Sequence, residues 1–380
     1  MGKFMKKFIT TCGKTLDEPG LIERLREEHY DVYIAQNFDY CGIGLSEVIK
    51  PKSFISVSTS VVFGSQFDEY GIPNIPSFDP DISTMNVHSI WDRIVNIYAD
   101  VLVRVMFNQM RTKVFWDETY LFRTSISDSR SLPREIRYVF TNVEPLIDYS
   151  TATISRVSLS SITSNLTIRL IQEWIKILSK REKTVLLSFG SIAKGAYLPL
   201  NVKMSIIETA KALPHVTFIW KYEEDDDFTK NHASKVENLE LTKWMPQVDL
   251  LAHPNLSLFI THGGMGSTQE TALRGVPGIF IPIFGDQPRN AGMMEHNKFG
   301  KVLHKTEITN SAKFVEVIRE VLENESYRSN ARRVSAMLQK KPFTAKEQLI
   351  KYTEFAAQFG PSNALRPQSH DMNWIEYRNV

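Results

Sequence analysis

The sequence predicts an α/β protein built from parallel sheets with helices on both faces, and three observations predict it. The first is length: 380 residues exceed one ordinary domain and suit two. The second is composition, with 42% hydrophobic and 23% charged residues, enough apolar material for a sizeable core. The third is a second half in which continuous apolar runs alternate with helical stretches. Strands buried on both faces give unbroken apolar runs, and such strands belong to parallel sheets.

In the first third, residues 31–35 read as a buried strand, 42–50 as a helix and 54–58 as a second strand. Residues 71–80, with three prolines and a glycine, form a loop that holds no regular structure. A long amphipathic helix is expected over 89–111 and a strand over 138–142, and the Ser/Thr-rich stretch 147–164 reads as a linker. Beyond it, strands are expected at 184–189, 216–220, 256–261, 277–282 and 302–303. Helices are expected over 198–212, from Pro246, after the 263–266 turn and from Gln287, with proline suited to a first helical position. Doubly wound sheets of this kind bind ligands beyond the carboxyl ends of their strands.

Several function classes are disfavoured. A formal charge of +2, without a dense Lys/Arg stripe, gives no case for nucleic acid. The acidic run Glu223 to Asp227 reads as a solvated loop rather than a metal site, and no metal is expected. Cys12 and Cys41 make neither a disulfide framework nor a zinc cluster, and are read as two free buried thiols in preference to one bridge. The apolar core after Lys7 is too short for a signal peptide, Lys6 breaks the myristoylation pattern after Gly2, and no window approaches about 18 apolar residues.

The chemistry-bearing residues gather at strand ends. Thr261-His262-Gly263-Gly264-Met265-Gly266-Ser267 follows a strand and opens a helix. Glycines allow close backbone approach, and a helix start offers unpaired N–H groups and a positive dipole end, so a diphosphate suits this turn. The bland alternative is a tight turn with His262 as a cap. No lysine precedes Ser267 as a Walker loop requires, and a dinucleotide fingerprint would need glycine where Gln269 stands, which disfavours a dehydrogenase. Ser188-Phe189-Gly190-Ser191 is a second such turn. Trp244 suits stacking on a flat base whose edge Gln247 reads, against the alternative of a core tryptophan. Glu270 suits ribose hydroxyls, and Asp286 with Gln287 suits a sugar's vicinal hydroxyls, unless these are a solvated carboxylate and a helix cap.

Trp244-Met245-Pro246-Gln247, Thr261-His262-Gly263-Gly264, Ser267, Glu270, Gly275-Val276-Pro277 and Asp286-Gln287-Pro288-Arg289-Asn290 together resemble the signature of the UDP-glycosyltransferases. Residues 38–42, 142–145 and 355–360 resemble its nematode branch, so the likeness covers nearly the whole chain. The resemblance implies a GT-B fold, two Rossmann-like domains facing a cleft, with the N-terminal one incomplete. It divides the chain into a partial acceptor-binding domain and linker over 1–165, a donor-binding domain over 166–345, and a C-terminal helix over 346–380 that returns to the first domain. It implies that Trp244 stacks on uracil and Gln247 binds its edge. Glu270 would hold the ribose, Ser191, His262, Gly264 and Ser267 the diphosphate, and Asp286 and Gln287 the donor sugar. Gly266 stands where many relatives have Asn.

The implied reaction is an inverting, metal-free transfer of glucuronate, or alternatively glucose, from a UDP-sugar to a small lipophilic acceptor, with no cofactor beyond that donor. Glucuronate needs a cation near its carboxylate, and the candidates are Arg289 or a residue of the N-terminal domain outside this sequence. The family's general base is a histidine in the first βα loop of the N-terminal domain, and no residue here matches it, so Met1 is expected to fall inside that domain. His29 is read as a surface residue and His88 as a helix-entry residue. The partner position of that base falls on Gln36, with Asp39 close by. The resemblance further implies the endoplasmic reticulum lumen, a membrane helix beyond Val380, glycosylation at Asn165 or Asn324, and room for a homo-oligomer. The other hypothesis kept is a UDP-sugar binder that lacks the base.

Overall fold

The computed structural model describes residues 2–36, 38, 40–62, 64–71, 74–77, 79–81, 84–116, 136–149, 157–159 and 170–373. The first half runs α1 (Gly2–Leu16), α2 (Leu21–Glu27), β1 (Val32–Gln36), α3 (Cys41–Ile49), β2 (Ser53–Ser58), α4 (Gly64–Glu69), α5 (Ile90–Trp116), β3 (Tyr138–Thr141) and β4 (Val157–Leu159). The second runs α6 (Gln172–Leu178), β5 (Lys183–Ser188), α7 (Leu200–Ala212), β6 (Val216–Lys221), α8 (Asp227–Asn231), β7 (Leu239–Thr242), α9 (Gln247–Leu251), β8 (Leu256–Thr261), α10 (Met265–Arg274), β9 (Gly278–Phe280), α11 (Gln287–His296), β10 (Gly300–Val302), α12 (Ser311–Glu323), α13 (Glu325–Gln339) and α14 (Ala345–Phe359).

Two parallel sheets result. The first has the order β1-β2-β3-β4 and the second β10-β9-β8-β5-β6-β7. In the second, chain order reverses between β5 and β8, which places the crevice of a doubly wound sheet at the ends of those two strands. β6 and β8 are buried at every position, as the unbroken apolar runs predict. Alternate residues serve opposite faces. Val185, Leu187, Phe218, Trp220 and Ile260 pack with Ile206 of α7 and Phe314 of α12. Leu186, Ile219 and Phe259 pack with Leu178, Leu250 and Leu251 on the other side.

In the first sheet, Val139 faces a core with Cys12, Ile43 and Phe107, and Ile55 and Phe140 face Ala356 of α14. That helix is fixed at its start by a reciprocal Thr344–Glu347 capping box and at its end by Tyr138, whose Oη donates to the Gly360 carbonyl at 3.0 Å. α5 begins the same way, with Ser89 Oγ accepting from the Asp92 N–H at 3.0 Å, and His88 is exposed beside it. Its outer face leaves Trp91, Ile94 and Tyr98 exposed.

Four readings change. Cys12 and Cys41 are joined in a disulfide, because α1 crosses the start of α3 with the two Cα atoms 5.8 Å apart, a helix packing that spacing alone does not reveal. Val157–Leu159 pairs with β3 as a fourth strand although its Ser/Thr content reads as linker. The acidic run is not merely solvated: Asp226 caps α8 through the Thr229 N–H at 3.0 Å and accepts from Tyr222 Oη at 2.7 Å. β7, which alternates apolar and polar residues at the sheet edge, was not foreseen. Among the described residues no helix is long and apolar enough to cross a membrane.

Candidate functional site

The two glycine turns meet at the crevice. Gly190 ends β5 with φ +86° and Gly263 follows β8 with φ +83°, both in the left-handed region that favours glycine. Between them lies the His262 ring. A Cβ on Gly190 would sit 2.7 Å from its Cε1, and one on Gly264 would sit 2.7 Å from its Nε2. Gly190 is therefore required by the imidazole as much as by its turn, and Gly264 by the imidazole alone. A Cβ on Gly266 meets nothing within 4 Å, so the first turn of α10 is open at that point.

Burial pushes the His262 pKa down to about 4, with Lys221 acting in the same direction and Asp286 opposing. At neutral pH the ring is uncharged, with Nδ1 3.3 Å from Thr261 Oγ1. Such a ring donates one hydrogen bond rather than a charge. Ser191 is exposed on the facing turn, and Ser267 lies in the first turn of α10, whose free N–H groups suit an anion.

Trp244, Gln247, Ser267 and Glu270 form the neighbouring group. Gln247 Nε2 donates to Ser267 Oγ at 3.1 Å and to Glu270 Oε2 at 2.7 Å. These bonds join α9 to α10 and leave the Gln247 carbonyl for another partner. Burial raises the Glu270 pKa, and the Gln247 bond and Arg274 oppose it. Trp244 is 75% exposed, unlike a core tryptophan. The Lys221 ammonium sits 5.1 Å from its ring centroid and also donates to the Gly190 carbonyl at 2.8 Å. Lys221 was missed in the sequence because it reads as the polar end of β6. Only its place beside β5 brings it to the turns.

The residues that the resemblance assigns to the sugar differ from one another. Gln287 is 3% exposed, and its Oε1 accepts from the Ile283 and Phe284 N–H groups at 2.8 and 3.0 Å, so its carbonyl is used inside its own turn. Asp286 stands at the start of α11 without capping it and accepts from Ser60 Oγ at 2.6 Å and Asn290 Nδ2 at 3.0 Å. Arg289 is not available to a glucuronate carboxylate. It is 4% exposed, pairs with Asp148 at 2.7 Å, donates to the Pro80 carbonyl at 3.1 Å and lies 5.3 Å over the Tyr149 ring. Its neighbours come from the first half of the chain, which the local motif does not reveal. Gln36 ends β1 and donates to Thr59 Oγ1 at 3.4 Å, next to Ser60, whereas Asp39 lies outside the described residues. His29 is exposed and precedes β1, at the end of that strand opposite Gln36.

Residues 1–380 match the family model described as UDP-glucoronosyl and UDP-glucosyl transferase. The chain belongs to that family. Among the relatives of this UDP-glycosyltransferase is the putative UDP-glucuronosyltransferase ugt-48 of Caenorhabditis elegans, 27% identical over 99% of this chain and 73% of the relative. UDP-glucuronosyltransferase 1-2 of Mus musculus is 26% identical over 99% of this chain and 70% of its own length. Among solved structures, Os79 from O. sativa in complex with UDP has a TM-score of 0.62 at 17% identity, covering 94% of this chain and 84% of that one. The glycotransferase of kitacinnamycin has a TM-score of 0.64 at 17% identity, covering 92% and 81%. At these identities the likeness shows the fold, which is GT-B, and the family model shows the enzyme class.

Proposed function

We propose that this UDP-glycosyltransferase moves a hexosyl group from a UDP-sugar to a hydroxyl of a small lipophilic acceptor, by a metal-free displacement with inversion. The observation that carries the reading is the meeting of Trp244, the Gln247–Ser267–Glu270 group and the His262 turns at one reversal point of the sheet. Trp244 stacks on uracil, the free Gln247 carbonyl reads its edge, and Glu270 takes the ribose hydroxyls. Ser191, Ser267, neutral His262 and the backbone at Gly264 receive the diphosphate, and Asp286 and the Gln287 amide nitrogen take the sugar. The acceptor oxygen attacks the anomeric carbon as the bond to the diphosphate oxygen breaks, and the donors at the start of α10 stabilise the charge that develops on UDP. The acceptor proton passes to a general base on the acceptor side.

Glucuronate is the first choice of sugar, supported by the names of the relatives. Glucose is the second, favoured by the enclosure of Arg289. Turnover of a phenolic acceptor with UDP-glucuronate and UDP-glucose side by side decides between them. An alternative reading, a UDP-sugar binder without transfer, is favoured by the distance of His29 from the Gln36 end of β1. It is supported if both donors bind and neither yields product. The Cys12–Cys41 bridge suits an oxidising compartment such as the endoplasmic reticulum lumen.

A further inference from the structure

At Asp286 the two halves of the molecule meet through a hydroxyl. Ser60 lies two residues beyond β2, at the carboxyl end of the first sheet, and its Oγ donates to Asp286 Oδ2 at 2.6 Å. Asn290, one turn along α11, donates to the same oxygen at 3.0 Å and to the Gly263 carbonyl, also at 3.0 Å. Asp286 Oδ2 is therefore held from both sides of the cleft. Oδ1 makes no hydrogen bond among the described residues, and the side chain does not cap its own helix. A carboxylate oxygen accepts about two hydrogen bonds, so Oδ2 is filled and Oδ1 is the acceptor left for a ligand. Two donors on one oxygen also select one rotamer from several.

The halves are pinned nearby by the Arg289–Asp148 pair at 2.7 Å and by Gln269 Nε2 donating to the Asn142 carbonyl at 2.7 Å. Because Ser60 is neutral, it orients the carboxylate without pairing its charge, and Oδ1 stays a strong acceptor.

We propose that Ser60 is a positioning residue for the donor sugar. It turns Asp286 Oδ1 toward the hydroxyls of the hexose, so the acceptor half of the chain contributes to donor affinity. The proposal rests on the reading of Asp286 as a sugar-binding residue. Orientation before binding spares the ligand the entropy of ordering that side chain.

Calorimetric titration of the full chain with UDP and with UDP-glucose tests it, using Ser60→Ala, Ser60→Thr, Asp286→Ala and the Ser60→Ala/Asp286→Ala double variant. Ser60→Ala is expected to weaken UDP-glucose about fivefold and leave UDP unchanged, and Ser60→Thr to restore the loss. In the Asp286→Ala background the Ser60 change is expected to add nothing. Equal weakening of UDP and UDP-glucose, an unchanged UDP-glucose affinity, or a Thr variant as weak as Ala overturns the role of Ser60. If Asp286→Ala leaves the affinity for UDP-glucose relative to UDP unchanged, the reading of Asp286 fails first, and that of Ser60 with it.

Discussion

His262 is wedged between two glycines, and this sets what the two turns tolerate. At Gly190, alanine meets the ring and also a φ of +86°; at Gly264 it meets the ring alone. Both variants are expected to move the imidazole and weaken UDP at least tenfold in a titration, the cost of a misplaced donor and a strained turn. Gly266→Asn is expected to leave the melting temperature unchanged, since its Cβ position is open; a fall of several degrees would mean the turn is closed. The pKa of His262 predicts a sign as well. Its folded value, about 4, lies below the ordinary 6.5, so the unfolded chain takes up the proton first as pH falls. This contribution is whole above about 6.5 and lost progressively toward 4, on the order of 3 kcal/mol in all. Glu69, part-buried and with its pKa raised to about 7 chiefly by desolvation, opposes it, because ionisation in the same interval destabilises the fold. The His262 part is isolated by comparing urea midpoints of the wild type and His262→Gln between pH 7.5 and 4.5. The wild type is expected to lose more stability on acidification, and parallel curves would contradict the assignment.

The element that joins the halves is α11. It carries Asp286 to Ser60, Arg289 into the Asp148–Tyr149 pocket and Gly292 against the Met85 carbonyl and the Tyr149 hydroxyl. Arg289 is the countercharge for buried Asp148 and lies beside Asp79, whose pKa burial raises to about 6 against the pull of Arg289. Arg289→Met is expected to lower stability by about 3–5 kcal/mol in chemical denaturation, because it leaves buried carboxylate charge unpaired. A loss within 1 kcal/mol would return Arg289 to the list of surface cations that ligands reach. The local pattern around Gln287 marked the start of this helix but not its partners, which come from residues about 140 to 230 positions earlier in the chain. β5, β6 and β8 were readable because strands buried on both faces need apolar side chains at nearly every position. β4 was not, because three residues among serines and threonines carry no such pattern and acquire a strand only by pairing with β3.

Across the whole molecule, the second half was more legible than the first. The candidate site residues of the second half sit on short strand-to-helix turns whose spacing is local in sequence. The α1–α3 bridge, the cover of α14 over the first sheet and the Ser60–Asp286 contact all depend on distant segments meeting. The bridge joins cysteines 29 positions apart in the chain, and Cys12→Ser with Cys41→Ser is expected to lower stability by about 2–4 kcal/mol, read from the urea midpoint. The central claim is that the reversal point of the second sheet is a UDP site. A thermal shift with UDP and with NAD at equal concentration tests it most directly, alongside Gln247→Ala and Glu270→Ala. UDP is expected to raise the melting temperature of the wild type, NAD to leave it unchanged, and either substitution to remove most of the UDP shift. Equal shifts with both nucleotides, no shift with either, or a UDP shift untouched by both substitutions would contradict it.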